Sequence, residues 1–411
     1  MSGLIAAQVL EQNGYSPKIL EATDTIGGRV KSDNYNGIPL DHGFQVVLTA
    51  YPMVQKYLDL EGLQPCYFDS GAVIHYNGRA TRIGDPLRNP YLFFPTLLSN
   101  AATIKDKIKI FLLQRELRKK SIDEIFEAPE QSTLQYLKAK EFSQKVIQRF
   151  FLPFFSGIFL ENELSTSSRM FEFVYKMFGE GKAMIPKRGI ATLPEKLRSK
   201  LVRTKVQLNA RVVGVNDDHI TLENGTKLKS HFTIIATEAN SLIKNLRKQQ
   251  ITWKNCDTLY FKVPISKAKS RLIHLMADED TLINNVVLVS NQFGLRTGDE
   301  IISVTIVKPH TLSKEQLVKR VIEELRQSFA YESIEFIKHF SIPKALPDIS
   351  NLKNELVPEE TRLTTRIFLA GDTLLNGSLN AAMTSGERAA MGVINLLEES
   401  PDLAQFTSEY M

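Results

Sequence analysis

The sequence predicts an α/β fold with two domains, the second of them α+β. Three observations support this prediction. Residues 4–21 combine a helical apolar pattern with a short strand that ends in an acidic residue. A strand-like run at 366–370 leads through Gly-Asp into a helix of small residues. Between these ends, residues 246–345 contain several short runs that alternate apolar and polar residues, which is typical of a sheet.

The first element is a helix that leads into a strand. Apolar residues at 4, 5, 9 and 10 form one helical stripe, and residues 17–20 predict a strand before Glu21. In a dinucleotide-binding βαβ unit, a Gly-rich turn opens the helix, and an acidic residue about 20 positions later binds the adenosine ribose. Gly3 fits the third glycine of that turn and Glu21 fits the ribose carboxylate. The predicted domain is therefore Rossmann-like and lacks its first strand.

The next segment contains two glycines and a cation. Gly27 and Gly28 lack side chains, so their backbone can approach a diphosphate, and Arg29 can neutralise it. A Gly-Gly turn with a solvated arginine fits the same residues, and this segment alone does not separate the two interpretations.

The Gly371-Asp372 segment follows the last predicted strand. Asp372 can accept hydrogen bonds from the hydroxyls of a sugar-like chain. The helix that begins near 380–383 offers free N–H groups and a partial positive charge. An aspartate that caps a turn is the alternative interpretation.

Together these segments resemble the FAD-dependent amine oxidase superfamily, which includes phytoene desaturases, hydroxysqualene dehydroxylases and protoporphyrinogen oxidases. Two positions depart from the family pattern, since Arg188 and Ala381 stand where glycines are usual. The similar segments follow the family order and are Gly3–Ala7, Leu20–Ala22, Gly27–Arg29, Leu40–Gln45, Ile185–Leu193, Val206–Val215, Thr233–Thr237, Ala345–Pro347 and Gly371–Met383.

The resemblance implies a glutathione-reductase-type FAD domain and assigns roles within it. Glu21 would bind the adenosine ribose, Arg29 the diphosphate and Asp372 the ribityl chain, while the backbone at Val212 would contact adenine. The helix start near 380–383 would stabilise negative charge on the reduced ring. The complete set of expected FAD contacts is Gly3, Glu21, Ala22, Gly27, Gly28, Arg29, Gly43, Val212, Gly371, Asp372, Leu379, Asn380, Ala381 and Met383.

The family has a strand and a Gly-x-Gly turn before the position of Gly3. Without that strand, neighbouring strands would carry unpaired backbone groups. We therefore expect Met1 to be an internal methionine, with the natural protein starting about 15 or more residues upstream.

The order of segments predicts that the chain crosses twice between the domains. Residues 1–68, 183–245 and 346–411 form the FAD-binding domain, and residues 69–182 and 246–345 form the substrate domain. Within these domains we expect a hairpin at 223–225, a helix at 314–329 and a final helix that ends at about 399. We expect sheet strands at 259–263, 285–290 and 301–307.

Composition narrows the classes of function. The net charge of +5 arises at 105–120, which holds seven basic and two acidic residues, so the remainder sums to zero and does not favour nucleic-acid binding. Cys66 and Cys256 show no metal-site or redox-motif spacing and are typical of a reducing, cytoplasmic setting. The sequence contains no apolar run long enough to span a bilayer and no histidine cluster typical of a metal site.

Residues 104–120 predict a basic amphipathic helix, with Ile104, Ile108, Phe111, Leu112 and Leu117 on one face and the cations largely opposite. Packing of this helix on the substrate domain is one interpretation. Peripheral contact with a membrane is the other.

The aromatic cluster at 150–159 predicts either a core or an apolar pocket, and 171–178 continues it. Because no carboxylate or arginine cluster accompanies it, a hydrophobic substrate is favoured.

The predicted function is that of an FAD-dependent oxidoreductase that oxidises or desaturates an isoprenoid-like substrate by hydride transfer to flavin N5. A flavin amine oxidase, a protoporphyrinogen oxidase-like enzyme and a flavin-free truncated binding protein remain alternatives. The electron acceptor stays open, and no catalytic acid, base or nucleophile is assigned. His42 fits a turn. Lys308 is the position to examine for the lysine that many amine oxidases of the superfamily place near N5.

Overall fold

A computed structural model describes residues 1–246, 251–265, 271–294 and 298–399. The predicted FAD-binding segment therefore extends at 400–411 beyond the described residues. The strands are β1 Lys18–Leu20, β2 Ser32–Tyr35, β3 Ile38–Asp41, β4 Val47–Leu48, β5 Pro65–Tyr67, β6 Gly71–Tyr76, β7 Arg79–Gly84, β8 Ala183–Pro186, β9 Lys205–Gln207, β10 Val212–Val215, β11 His219–Leu222, β12 Lys227–Lys229, β13 Thr233–Ile235, β14 Thr252–Pro264, β15 Ile273–Met276, β16 Ile283–Leu288, β17 Asp299–Ile306, β18 Glu335–Asp348 and β19 Ile367–Leu369.

Helices alternate with these strands in the nucleotide part and cluster between β7 and β8. They are α1 Ser2–Gln12, α2 Pro52–Tyr57, α3 Phe93–Leu98, α4 Ile104–Lys119, α5 Ile122–Glu127, α6 Thr133–Ala139, α7 Gln144–Val146, α8 Leu152–Phe159, α9 Ser168–Glu180, α10 Thr192–Ser199, α11 Val289–Gln292, α12 Lys314–Phe329 and α13 Leu379–Glu399. A turn of π-helix at Ile147–Phe151 joins α7 to α8.

Two parallel strand pairs form the nucleotide part. β1 pairs with β9, and β13 pairs with β19. The first and last helices of the described chain, α1 and α13, pack against each other so closely that a Cβ added at Gly386 would lie 2.2 Å from the carbonyl oxygen of Ser2. The α/β character and the N-terminal helix–strand pair are thereby confirmed.

A mixed seven-stranded sheet, in the order β18-β14-β17-β16-β15-β6-β7, forms the centre of the other part. Helix α12, which has the predicted bounds, covers one face through Leu317, Val321 and Leu325. From the other face, the hydroxyl of Tyr260 donates to the backbone carbonyl of Asp41, at 2.8 Å. The sheet therefore contacts the nucleotide part directly.

The predicted hairpin at 223–225 joins β11 to β12, with Gly225 at φ 81°. Segment 69–182 opens with a second hairpin, β6–β7. Its turn is Asn77-Gly78, with both residues at positive φ. Asn-Gly is the strongest short signal for such a turn, so this hairpin could have been predicted from the sequence.

The aromatic cluster is a core. Phe151, Phe155, Phe159, Phe171 and Phe173 are all fully buried and belong to one apolar cluster. Successive rings pack at 4.7 to 6.4 Å between centroids. Since these side chains fill one another's space, they fix the helices around α8 and α9.

Helix α4 buries only one residue of its predicted apolar face, Leu117. Leu113 and Leu117 are buried, whereas Ile104, Ile108, Phe111 and Leu112 are exposed. The predicted apolar face is thus split, because two leucines one turn apart suffice to pack α4 on α9. Among the described residues, no helix has both the length and the apolar character needed to cross a membrane.

We expect Gly386→Ala to lower the free energy of unfolding by about 3 kcal/mol, because the new Cβ would overlap the backbone of Ser2 and force α1 and α13 apart. Urea denaturation checks this. Gly298→Ala is the matched control, since its added Cβ would meet no atom within 4 Å. Equal losses in the two variants would contradict the close packing of the two helices.

Candidate functional site

Arg29 and Asp372 meet although 343 positions separate them in the chain. One guanidinium nitrogen, Nη2, donates to Oδ1 of Asp372 at 2.5 Å, and Nη1 donates to the carbonyl of Ala345 at 3.1 Å. The Asp372 side chain is 9% exposed and that of Arg29 is 40% exposed. The guanidinium thus retains an accessible side, on which it can bind an anion.

The N-terminal end of α1 reaches the same place. The backbone nitrogen of Met1 is buried there, near the carboxylates of Asp372 and Glu21. No side chain caps α1, so its first N–H groups remain available to a ligand. Gly3 lies in this first turn, and its Cβ, if present, would lie 3.2 Å from Cβ of Ala236.

Gly27 and Gly28 adopt conformations that require glycine. Their φ angles are 112° and 62°. A Cβ at Gly27 would also lie 2.6 Å from Cγ of Pro194, at the start of α10. At Gly28 no atom lies within 4 Å of the added position. The loop therefore leaves open space beside Arg29, which fits the predicted approach of a diphosphate.

Glu21 ends β1 as predicted. Its carboxylate accepts hydrogen bonds from the backbone N–H and the hydroxyl of Thr23, both at 2.9 Å. The backbone carbonyls of Glu21 and Thr23 accept from the N–H groups of Ala210 and Asn209. The segment that leads to Val212 therefore runs beside Glu21 and Ala22, and these three predicted contacts lie in one region.

The segment around Gly43 is fixed by a buried acid. The Asp41 carboxylate accepts from the hydroxyl of Ser32 at 2.6 Å and from the N–H of Ile190 at 3.0 Å. Burial raises its pKa to about 6, while these hydrogen bonds act in the opposite direction. Gly43, two residues after Asp41, has a φ of 92°. A Cβ added at Gly43 would lie only 3.2 Å from the side chain of Ile342.

The start of α13 is held mainly by internal contacts. The hydroxyl of Ser378 accepts from the N–H of Ala381, and the side-chain carbonyl of Asn380 accepts from the N–H of Met53, both at 3.0 Å. Ala381 and Met383 are fully buried in apolar clusters, and Leu379 packs against one of them. The side chains of these predicted contacts therefore anchor the helix. A ligand at this end of α13 would contact the backbone N–H groups of the same residues.

Gly371 and Asp372 are positioned from the same helix. The N–H of Gly371 donates to the hydroxyl of Ser385 at 2.9 Å. Further along α13, Glu387 accepts hydrogen bonds from Lys56 and Tyr57 of α2. Burial would raise the pKa of Glu387, but these two donors lower it below its usual range. Helix α13 thus connects Asp372 to the chain around α2.

Two residues singled out in the sequence have structural partners of their own. Lys308 donates to the carbonyls of Glu279 and Thr281, both at 2.6 Å, and burial lowers its pKa. It lines a cavity of about 260 Å³ on the α12 side of the sheet, the face opposite Tyr260. His42 stacks on Phe340, with ring centroids 4.0 Å apart, which agrees with a residue that fixes a turn.

The sequence analysis missed Trp253. The guanidinium carbon of Arg29 lies 5.1 Å from the centroid of the Trp253 ring, a distance at which the ring face attracts a cation. The buried indole Nε1 has no hydrogen-bond partner. The single tryptophan of the chain was a possible signal, but its position 224 residues after Arg29 gave no reason to connect the two.

These residues fit an FAD molecule. An uncapped helix end, a glycine loop with open space, a partly exposed arginine and a buried aspartate lie around one location, as a diphosphate with an attached polyol chain requires. The unpartnered Trp253 Nε1 beside Arg29 is a further free donor.

Comparison with known proteins identifies the family. Residues 1–394 match the family of flavin containing amine oxidoreductases. The chain belongs to this family. This flavin-containing amine oxidoreductase has FAD as its cofactor and is an FAD-dependent oxidoreductase, as the sequence analysis predicted.

Similar proteins support the same fold. The amine oxidoreductase is 28% identical over 158 residues to protoporphyrinogen oxidase 2, chloroplastic/mitochondrial, of Arabidopsis thaliana, and this match spans 38% of the present chain and 30% of that relative. An oxidoreductase from Methanosarcina mazei superposes with a TM-score of 0.69 at 16% identity, covering 96% of this chain and 98% of its own. Putrescine oxidase superposes at 0.70 and 17% identity, covering 96% and 97%.

We expect Asp41→Asn to remove a pH dependence of folding. Because the folded-state pKa of about 6 lies above the ordinary 3.8, the folded protein binds a proton that the unfolded chain lacks between these pH values. The stability that Asp41 contributes therefore falls as pH rises from about 4 to 6, by about 3 kcal/mol. Urea unfolding of both proteins at pH 4.5 and 7 measures the difference, and parallel pH profiles would contradict it.

Proposed function

We propose that this FAD-dependent oxidoreductase oxidises or desaturates a hydrophobic, isoprenoid-like substrate. The observation that supports this most is the chemistry of the side chains around Gly43. Ile342 lies against Gly43, and Phe44 and Phe68 pack edge to face at 5.8 Å between centroids. Both phenylalanines are only partly buried. An apolar substrate would therefore meet apolar surface where the sheet approaches the Gly43 segment.

The residues that would hold FAD follow from their positions. Glu21 would bind the adenosine ribose, with the backbone at Ala22 and Val212 beside the adenine end. Arg29 and the start of α1 at Gly3, with the Gly27-Gly28 loop, would bind the diphosphate. Asp372, after Gly371, would accept from the ribityl chain. The backbone at Gly43 and the start of α13, Leu379, Asn380, Ala381 and Met383, would lie toward the ring.

Bound FAD supplies a two-electron acceptor at its isoalloxazine ring. The protein's own residues would orient and protect that reaction. Asp372 orients Arg29 through a direct hydrogen bond, and Tyr260 ties the substrate sheet to the Gly43 segment. The apolar side chains Phe44, Phe68 and Ile342 would exclude water from the substrate.

We also propose that the two parallel pairs, β1–β9 and β13–β19, are parts of one Rossmann-like arrangement, since α1 contacts both β1 and β13.

A second candidate is the oxidation of a porphyrinogen or an amine. The partial match to protoporphyrinogen oxidase 2 favours the first. The fold shared with putrescine oxidase and with cyclohexylamine oxidase from Brevibacterium oxydans IH-35A, at 15–17% identity, is compatible with the second.

Anaerobic mixing of the FAD-loaded protein with one compound of each class separates these functions. We expect an acyclic isoprenoid polyene precursor to bleach the flavin absorbance, since reduction of the flavin does not depend on the second electron acceptor. If only an amine or only a porphyrinogen bleaches the flavin, the isoprenoid proposal is wrong and the compound that bleaches it defines the substrate class. Peroxide release under air would then show whether oxygen is the acceptor.

We expect Arg29→Gln to weaken FAD binding by about 10- to 100-fold, because a charged hydrogen-bond donor to the diphosphate is lost and Asp372 is left without its cation. Equilibrium dialysis with FAD measures the affinity. Arg79→Gln, an exposed arginine at the start of β7, should leave the affinity unchanged. Equal affinity in all three proteins would remove Arg29 from the site.

A further inference from the structure

One stretch of the chain carries most of the exposed large apolar side chains. Of fifteen such residues in the described part of the chain, ten lie between positions 87 and 112. We call these ten the 87–112 surface. They are Leu87, Tyr91, Phe93, Phe94, Leu97, Leu98, Ile104, Ile108, Phe111 and Leu112. Scattered apolar residues are normal on a protein surface, but a contiguous group of this size marks an interaction site.

These side chains project from the protein. Tyr91 is 91% exposed, Leu98 is 80% exposed and Phe94 is 70% exposed. Phe93 and Phe94 pack against each other edge to face, at 5.3 Å between centroids. Residues that stand this far out make few contacts with their own chain, so their apolar surface is available to a partner.

The backbone beneath the 87–112 surface is held in place. The hydroxyl of Thr96 donates to the carbonyl of Gly84, and the ammonium of Lys107 donates to the carbonyls of Leu97 and Ser99. Thr103 and Asp106 cap the start of α4 reciprocally, and the buried Asp106 also accepts from Ser143. The exposed apolar side chains therefore lie on an ordered support, and their exposure does not result from missing backbone hydrogen bonds.

The exposed face of α4 changes character along its length. Ile104, Ile108, Phe111 and Leu112 occupy its first half, and Arg115 and Lys119 continue the same exposed face. At 1.5 Å per residue, Ile108 and Arg115 are about 10 Å apart along the helix axis.

We propose that the 87–112 surface binds a membrane that contains anionic lipids. Its apolar side chains enter the acyl region, while Lys105, Arg115 and Lys119 contact lipid phosphates. The whole net charge of +5 arises in the segment 105–120, so the charge that attracts anionic headgroups lies beside the apolar side chains. A bilayer that contains anionic lipids supplies both an apolar interior and a negatively charged surface.

A protein partner is the competing occupant. A second copy of the chain would have to cover ten protruding apolar side chains and also balance the adjacent cations of α4, whereas an anionic bilayer does both with one surface. For this reason we commit to the lipid surface.

Membrane binding extends the proposed function without depending on it. Arg88, beside this surface, donates to the carbonyl of Phe178 in α9, so the surface adjoins the aromatic helices. If the substrate is isoprenoid-like, as proposed above, the same bilayer dissolves it. Vesicle binding needs no flavin and no substrate, so its outcome is independent of that of the reaction assays.

Sedimentation with vesicles tests the proposal. The full chain is mixed with phosphatidylcholine vesicles in which about one lipid in four is phosphatidylglycerol, and with vesicles of phosphatidylcholine alone. We expect the combined change Tyr91→Ser, Phe94→Ser and Leu98→Ser to lower the partition coefficient at least about tenfold on both vesicle types, since each loses apolar area. The matched control changes Val202, Val213 and Val357, three exposed valines elsewhere, to Ser and should bind like the wild type.

A charge variant tests the second half of the proposal. Lys105→Gln, Arg115→Gln and Lys119→Gln together should weaken binding to the anionic vesicles by about 100-fold, at about fivefold for each cation, and should not change binding to neutral vesicles. High salt should reproduce this loss in the wild type.

Three outcomes would overturn the proposal. They are absence of binding to anionic vesicles, equal binding by the wild type and the serine variant, and a wild-type dimer that the serine variant converts to a monomer without any vesicle binding. The last result, from analytical ultracentrifugation, would assign the surface to a second copy of the chain. Circular dichroism confirms folding of each variant, and every changed residue is exposed.

Discussion

The ion pair between Arg29 and Asp372 is the contact on which the cofactor site depends. It joins the glycine loop near one end of the chain to the segment before α13 near the other. The start of α1 lies beside the pair, and Gly386 allows α13 to pack on α1 within backbone contact. Binding of FAD across this junction, as proposed, requires a cation, a carboxylate and a helix end to stay together while one side of the guanidinium remains accessible.

The electrostatics of the junction explain why the pair is useful. A diphosphate carries two negative charges, and Arg29 alone is mobile unless a partner fixes it. Asp372 fixes the guanidinium, the carbonyl of Ala345 takes a second N–H, and the ring of Trp253 supports its face. The partial positive charge of the α1 end then adds to that of Arg29. Asp41 plays the corresponding role near Gly43, where a buried carboxyl organises Ser32 and Ile190.

Local sequence patterns predicted many of the secondary-structure elements. The contacts that they did not predict depend on long-range packing. The α1–β1 pair, the hairpin at Gly225 and the bounds of α12 follow from periodicity and turn residues. The family resemblance predicted that Arg29 and Asp372 lie near one ligand, and the structure brings the two side chains into contact. Their direct bond and the stacking on Trp253 depend on how distant segments dock, which no local pattern encodes. Which apolar residues of α4 are buried was not predictable for the same reason, since packing against α9 selected Leu113 and Leu117 from several apolar residues.

The most direct test uses Trp253, the single tryptophan of the chain, as a reporter for the junction. Its fluorescence is recorded while FAD is added, and equilibrium dialysis determines how much FAD is bound. If FAD binds beside Arg29 and Asp372, the emission falls saturably and in proportion to the bound flavin, because the ring lies 5.1 Å from the Arg29 guanidinium. Stoichiometric FAD binding with unchanged tryptophan emission would place the flavin elsewhere and contradict the account.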